Sequence, residues 1–403
     1  MTAALLLLCI VAALLTQIAA ATGWALVRRS RRRAAPAATR VAAPPPMAGL
    51  AWQGWREFRV AAREFADAAH TQCSFRLQPV DGLPLPPFEP GQYLTFSLSV
   101  PDATGAATGR SITRCYSLSA ASDPGHYQVT VKRVAGGQSS CHFHDRLQVG
   151  DVLQARAPAG RFVLDPDPAR PAVMIAGGIG ITPLCCMLQA RLASHPDSEL
   201  HLYYGVRDGS EHAFRDALAA LARAHPNFRS TVAYSRPRGS DVPGVDYQHG
   251  GYVDLALLQR TLPPNRYSFY VCGPPAMMAS LLPALRHWGV HEPDLHFEAF
   301  GPASAPPPPA GATPPAGDIA FEVRFARSGR TLTWDGQDAS LLDFAERHAI
   351  PVESGCRSGS CGSCEVQLVS GVVRYRQDPD HVPTAGACLP CVGTPASALV
   401  LEA

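Results

Sequence analysis

The hydrophobic pattern divides the chain before any single residue is considered. Residues Ala3 to Val27 form an almost unbroken apolar run without a charge, and Arg28, Arg29, Arg31, Arg32 and Arg33 follow it. As a helix rising ~1.5 Å per residue the run spans roughly 37 Å, enough for a hydrocarbon core of about 30 Å. A cleavable signal peptide is the competing reading, with Ala19-Ala20-Ala21 as its small-residue site. Signal peptides, however, carry their positive charge ahead of the apolar run. The pattern therefore predicts a single transmembrane helix over 1–27. By the positive-inside rule the rest of the chain faces the cytoplasm, at the inner (cytoplasmic) membrane. Residues 28–51, basic and then rich in Ala and Pro, read as a tether with no core of its own.

From 52 to 167 the apolar residues alternate in short segments (QCSFRLQPV, GQYLTFSLSV, CYSLSAA, HYQVTVKRV, DVLQARAP) separated by Gly, Pro and Asp. Half a dozen such strands predict an antiparallel β-barrel. From 168 to 301 the texture changes to fully apolar strands (PAVMIAGG, ELHLYYGV, YSFYVCG) alternating with helical periods such as LCCMLQARL and EHAFRDALAALARA. This predicts an α/β domain with a parallel sheet of about five strands. Residues 302–317 are a proline-rich linker. Beyond it, 318–403 carries a hairpin turning near Ser328-Gly329, a short helix capped by Ser340, and closing strands EVQLVSGVV and ALVLE.

Composition changes this picture little. Hydrophobic residues make up 46% and charged residues 17%, and the net charge of +2 gives no reason to expect a nucleic-acid partner. Twelve cysteines are present, but most are scattered without a disulfide framework.

The exception is SGCRSGSCGSCE, where Cys356, Cys361 and Cys364 stand at C-x4-C-x2-C spacing, with Cys388 and Cys391 downstream. That is the spacing of a plant-type [2Fe–2S] site. The surrounding glycines let the loop wrap and aim backbone N–H groups at the sulfurs. A structural zinc site is the alternative, although zinc favours C-x2-C pairs and usually recruits His. A second motif, Gly177-Gly178-Ile179-Gly180-Ile181-Thr182-Pro183, lies between an apolar strand and a helix, the context in which a glycine turn cradles phosphate. A third, Gly137-Gln138-Ser139-Ser140, opens a helical segment suited to receive another. Arg114-Cys115-Tyr116-Ser117 lies on a strand whose alternation puts Arg114 and Tyr116 on one face.

In this order the motifs resemble the ferredoxin–NADP reductase superfamily, and within it the reductases that append a plant-type ferredoxin domain C-terminally, as in hybrid-cluster-protein reductase and oxygenase electron-transfer components. The resemblance covers about seven-eighths of the chain. It implies a barrel that binds FAD, an α/β domain that binds NADH or NADPH, and a β-grasp ferredoxin-like domain. It implies that Arg114, Tyr116 and Ser117 hold the flavin ring and phosphate, and that Gly137 and Ser140 receive the FAD pyrophosphate. Gly177, Gly178, Gly180, Thr182 and Pro183 match its nicotinamide-nucleotide loop. Cys272, Gly273 and Pro274 match the element beside the nicotinamide, with Cys272 as the catalytic candidate; a buried small thiol is its other reading. Glu298, Ala299 and Phe300 match the element whose aromatic ring packs near the flavin. Cys356, Cys361, Cys364 and Cys391 match the metal ligands, Cys391 being preferred over Cys388 because Pro395 follows it at the family offset.

The expected chemistry is hydride transfer from NAD(P)H to FAD and release of single electrons through [2Fe–2S] to an external acceptor. A membrane desaturase, a hydroxylase or another oxygenase is the expected acceptor. A soluble acceptor of hybrid-cluster or haem type, or a flavin/iron–sulfur redox sensor without turnover, are the alternatives. Arg207, Ser235 and Arg236 would suit a 2′-phosphate, whereas the stretch GVRDGSEHAF resembles NADH-using relatives, and the reading leans to NADH.

Overall fold

The computed structural model describes residues 52–99, 111–300, 320–359, 361–375, 379 and 381–403. The anchor expected over 1–27 and the tether over 28–51 lie outside the described residues, as does the proline-rich linker over 302–317. Among the described residues no helix is long and apolar enough to cross a membrane.

The first region holds β1 (Arg56–Phe65), β2 (Gln72–Pro79), β3 (Tyr93–Ser99), β4 (Ser111–Ser117), β5 (Tyr127–Lys132), α1 (Gln138–Asp145) and β6 (Val152–Ala155). The strands pair antiparallel in the order β4-β3-β6-β1-β2-β5. An antiparallel bridge between Leu118 and Val129, just past β4, joins the two edges and closes the barrel. Closure removes the unpaired edges an open sheet would present. Alternate residues point inward, so that Phe58, Val60, Phe75, Leu77, Val129 and Val131 are fully buried together. Phe143 from α1 fills the barrel end, edge-on to Phe75 at 5.2 Å and to Tyr116 at 5.0 Å.

The second region runs β7 (Ala172–Gly177), α2 (Ile181–Ser194), β8 (Leu200–Val206), α3 (Arg215–Ala224), β9 (Phe228–Tyr234), β10 (His249–Gly250), α4 (Leu255–Thr261), β11 (Ser268–Cys272), α5 (Pro275–His287) and β12 (Leu295–Glu298). Its sheet is parallel, in the order β10-β9-β8-β7-β11-β12. The sixth strand, beyond the five expected, is the two-residue edge β10. β7 is buried at every position, as a central strand covered on both faces must be. The chain runs outward from β7 through β8, β9 and β10, then crosses to β11 on the other side. The crevice at the C-terminal ends of β7 and β11 is therefore the switch point where ligands of such sheets bind. The helix expected from Glu211 begins only at Arg215. Phe214 stands in the left-handed region with φ 57°, and its N–H bonds Ala66 O of the barrel at 3.0 Å.

The third region holds β13 (Phe321–Phe325), β14 (Arg330–Trp334), α6 (Leu341–Arg347), β15 (Val366–Ser370), β16 (Val373–Tyr375), β17 (Ala387–Cys388), β18 (Gly393–Pro395) and β19 (Leu399–Leu401). Five strands form a mixed sheet, β14-β13-β19-β15-β17, with β13 and β19 parallel. Ser340 caps α6 by accepting from the Asp343 N–H. The segment EVQLVSGVV does not form one closing strand. Gly371, at φ 98° and with no room for a Cβ against Ala398 O, splits it; β15 pairs with β19 while β16 turns to pair with β18.

Candidate functional site

A cavity of about 550 Å³ runs along β4. Its walls are Arg114, Cys115, Tyr116 and Ser117, the turn Gly136-Gly137 with the first turn of α1, and Ile179, Thr182 and Phe300 from the second region. Strand alternation turns Arg114 and Tyr116 one way, yet all four consecutive residues of the strand border the cavity. The Tyr116 hydroxyl hydrogen-bonds Ser139 Oγ at 2.7 Å, and burial pushes the phenol up to about 12. The ring is thus a fixed apolar plate with Phe143 behind it. Ser140 lines the cavity, but its hydroxyl is already used locally, accepting from the Val134 N–H at 3.1 Å. A Cβ on Gly137 would meet that oxygen at 2.6 Å, so glycine is needed where the chain enters the helix. The free N–H groups of the first turn of α1 face the same space, a donor set suited to phosphate.

At the switch point, Gly177 and Gly273 let two strand ends approach. A Cβ on Gly273 would lie 3.1 Å from Gly177 Cα, and one on Gly177 would lie 2.5 Å from Pro274 Cδ. Gly180 is tighter still, since a Cβ there would lie 2.1 Å from the Cys272 carbonyl oxygen. Gly178 takes φ 52° with open space around it. Thr182 Oγ1 donates to Ile179 O at 3.0 Å, closing the turn, and Pro183 sits in the first turn of α2, where its missing N–H costs no helical bond. The loop therefore presents the N-terminus of a fourteen-residue helix to the crevice.

Cys272 is fully buried at the end of β11, in register with Glu298 of β12. Burial, and then the Glu298 charge, hold its thiol well above the usual range, so the sulfur keeps its proton. Ser117 of the barrel reaches across and donates to Glu298 Oε2 at 3.3 Å. Glu298, Ser117 and Phe300 thus meet where the barrel faces the parallel sheet, while Cys272, paired with Glu298, is fully buried and lines neither cavity.

The cysteine loop is built as two pairs. In one, the Cys356 N–H donates to Cys361 Sγ at 3.2 Å and the Cys361 N–H to Cys356 Sγ at 3.3 Å. In the other, Cys364 and Cys391 place their sulfurs 3.1 Å apart. Cys388 instead points into the core of the third region, with Val323, Phe344 and Leu399. Among the described residues no three metal-ligating side chains converge on a single-ion position. Two cysteine pairs, the first with backbone donors on its sulfurs, match what a two-iron cluster requires. Gly359 and Gly362 adopt φ 80° and 67°, and Arg357, at φ 58°, holds the same left-handed bend while its guanidinium pairs with Glu346.

A second cavity of about 220 Å³ joins all three regions: Tyr93, Arg114, Cys115 and Ser117 of the barrel, Glu298 to Phe300, and Gly355 to Ser358 of the cysteine loop. Inside this junction Cys115 lies beside Thr95, with Thr95 Oγ1 3.4 Å from Cys115 Sγ. The Ser117–Glu298 bond was not legible in the sequence, because it joins residues 181 positions apart and forms no local motif.

Comparison with known proteins fits this geometry. Residues 60–164 match an oxidoreductase FAD-binding domain, 174–282 an oxidoreductase NAD-binding domain, and 323–396 a 2Fe-2S iron-sulfur cluster binding domain. The chain is an oxidoreductase and belongs to the ferredoxin–NADP reductase-like flavoprotein reductases that carry a C-terminal [2Fe–2S] domain. It is similar to phthalate dioxygenase reductase, described as a modular structure for electron transfer from pyridine nucleotides to [2Fe-2S], with 28% identity over 87% of this chain and 98% of that one and a TM-score of 0.54. An intact type IV self-sufficient cytochrome P450 monooxygenase aligns over the same 87%, with 26% identity and a TM-score of 0.58, but only over 41% of its own length. The flavohemoprotein of Pseudomonas putida is 41% identical over 255 residues. The chain spans about three fifths (61%) of that relative's length.

Proposed function

We propose that the protein is a membrane-tethered, NADH-preferring reductase that delivers single electrons to an oxygenase-type acceptor such as a desaturase or hydroxylase. The observation that carries the reading is the junction cavity, lined at once by the flavin-domain strand, the Glu298–Phe300 segment and the cysteine loop. When bound, the flavin accepts a hydride from the nicotinamide and the cluster passes electrons on one at a time. Around these groups Tyr116 supplies the fixed apolar plate, Arg114 the cation and the α1 N-terminus the phosphate donors. The Ser117–Glu298 pair lines the point of hydride delivery, with Cys272, kept neutral, buried beside Glu298. Gly177, Gly178, Gly180, Thr182 and Pro183 receive the dinucleotide, Gly273 and Pro274 form the floor beneath it, and Phe300 covers the flavin side. Cys356, Cys361, Cys364 and Cys391 would hold the cluster as its thiolate ligands.

The lean to NADH gains support from one ion pair. Of the arginines placed for a 2′-phosphate, Arg207 is matched by Glu211 at 3.0 Å, so its charge is answered by a carboxylate before a 2′-phosphate reaches it. The tether rests on the apolar run and its trailing arginines. Holding the reductase at the membrane raises its effective concentration near a membrane acceptor. A second reading, a reductase for a soluble haem acceptor, is favoured by the likeness to flavohemoproteins and to a self-sufficient P450.

Anaerobic titration of the full chain with NADH and with NADPH, followed by visible absorption and EPR, tests the core. Bleaching of the flavin, then a reduced-cluster signal, is expected at lower NADH than NADPH. Material without flavin, or with zinc in place of iron, overturns the reading. Recovery of the intact protein in the soluble fraction after lysis would remove the tether alone, and sustained turnover with ferricyanide argues against a sensor.

A further inference from the structure

We propose that Glu211 is a specificity-determining residue for the nicotinamide nucleotide, its carboxylate occupying Arg207 and so withholding that arginine from a 2′-phosphate. The inference deepens the NADH reading above and rests on it. Arg207 stands one residue past β8, the strand whose Gly205 is in register with Gly177 of the glycine loop. In sheets of this kind the adenosine ribose is read near the end of that second strand. Glu211 lies in the turn that follows, its N–H donating to Asp208 O at 3.2 Å. Its two carboxylate oxygens are divided between the domains. Oε1 lies 3.0 Å from Arg207 Nη1, and Oε2 lies 3.3 Å from Nζ of Lys132, the last residue of β5 in the barrel.

An exposed ion pair contributes little, because holding two long side chains in one geometry costs entropy. Here only one partner is free. The Arg207 side chain is 61% exposed, but that of Glu211 is 16% exposed. The barrel grips the Glu211 segment through the turn between β1 and β2. The Ala69 N–H donates to Ser210 O at 2.8 Å, Gln72 Nε2 donates to Glu211 O at 3.2 Å, and the Phe214 N–H reaches Ala66 O at 3.0 Å. Lys132 then fixes the direction of the carboxylate. A 2′-phosphate approaching Arg207 therefore meets a pinned negative charge, whereas a 2′-hydroxyl carries no charge to be repelled. The discrimination is repulsive, and the flavin domain helps to set it from across the domain boundary.

The test is steady-state reduction of ferricyanide by the full-length holoprotein with NADH and with NADPH, read as the ratio of kcat/KM for the two nucleotides. The wild-type ratio tests the NADH lean. The change on substitution tests Glu211, whichever nucleotide the wild type prefers. In Glu211→Gln the ratio is expected to move about tenfold toward NADPH, through a lower KM for NADPH. That gain should shrink as salt is raised to about 0.5 M, because the released Arg207 pairs with the phosphate in a screened, exposed position. In the double variant Arg207→Leu with Glu211→Gln the gain should fall to about twofold or less. A ratio unchanged in Glu211→Gln, or a gain just as large in the double variant, overturns the proposal. Should Glu211→Gln fail to fold, the wild type decides. Its ratio is expected to change by less than about twofold over the same salt range, and a steep loss of NADPH turnover with salt, the mark of an arginine already free, overturns the proposal.

Discussion

In the nucleotide loop Gly177–Pro183 a Cβ on Gly180 would sit 2.1 Å from a backbone oxygen, while in the cysteine loop Gly359 and Gly362 adopt backbone angles of 80° and 67°. Both loops are glycine-rich, and sequence alone makes them look alike. Their glycines answer different demands. In the first, the need is space: β7 and β11 end side by side, and any side chain would push one strand from the other. In the second, the need is conformation, since the chain must double back within a few residues to bring Cys356 to Cys361. Gly178 shows that a single loop can mix the two, being left-handed with nothing nearby. A space requirement fails by displacing a neighbour, and a conformational one by straining the loop itself.

Substitutions separate these demands. The largest effect is expected in Cys361→Ser, which removes a proposed ligand from the first pair. Iron content and the cluster EPR signal should be lost, while flavin reduction by NADH persists. Disappearance of flavin reduction as well would show that the two halves do not work independently. Next comes Gly180→Ala, where the obstacle is backbone. Overpacking of about 1–3 kcal/mol is expected, with a raised KM for NADH and a lower melting temperature. Gly362→Ala follows: the left-handed angle costs roughly 1–2 kcal/mol, and the His381 ring, 2.6 Å from the added carbon, can yield. Its signature should be faster cluster loss on dilution or mild heating, with nucleotide binding unchanged. Gly178→Ala is the smallest, about 1 kcal/mol of left-handed strain with no clash. A Gly178→Ala variant as damaged as Gly180→Ala in NADH titration would break the distinction between space and conformation.

Much of the molecule is legible because it is local. Period-two alternation marked the barrel strands, unbroken apolar runs marked β7, β8 and β11, and Ser340 announced α6 through its own side-chain cap. The cysteine spacing pointed to the cluster chemistry because the loop that holds it is itself short. Other features were not legible, each for a stated reason. The helix expected from Glu211 starts four residues late because a contact between Phe214 and Ala66, in a different domain, overrides helical periodicity. The segment EVQLVSGVV reads as one strand, but the carbonyl that forbids a side chain at Gly371 belongs to Ala398.

By itself, then, the sequence determined three domains, their order, and the chemical type of each loop, since all of these follow from residues within about a dozen positions of one another. Only the tertiary structure decided that Cys391 rather than Cys388 approaches Cys364, that Ser117 reaches Glu298, and that the flavin-domain strand and the cysteine loop line one cavity. The reason is physical: these contacts depend on how three separately folded surfaces pack, and the energy of that packing is spread over side chains that share no local pattern.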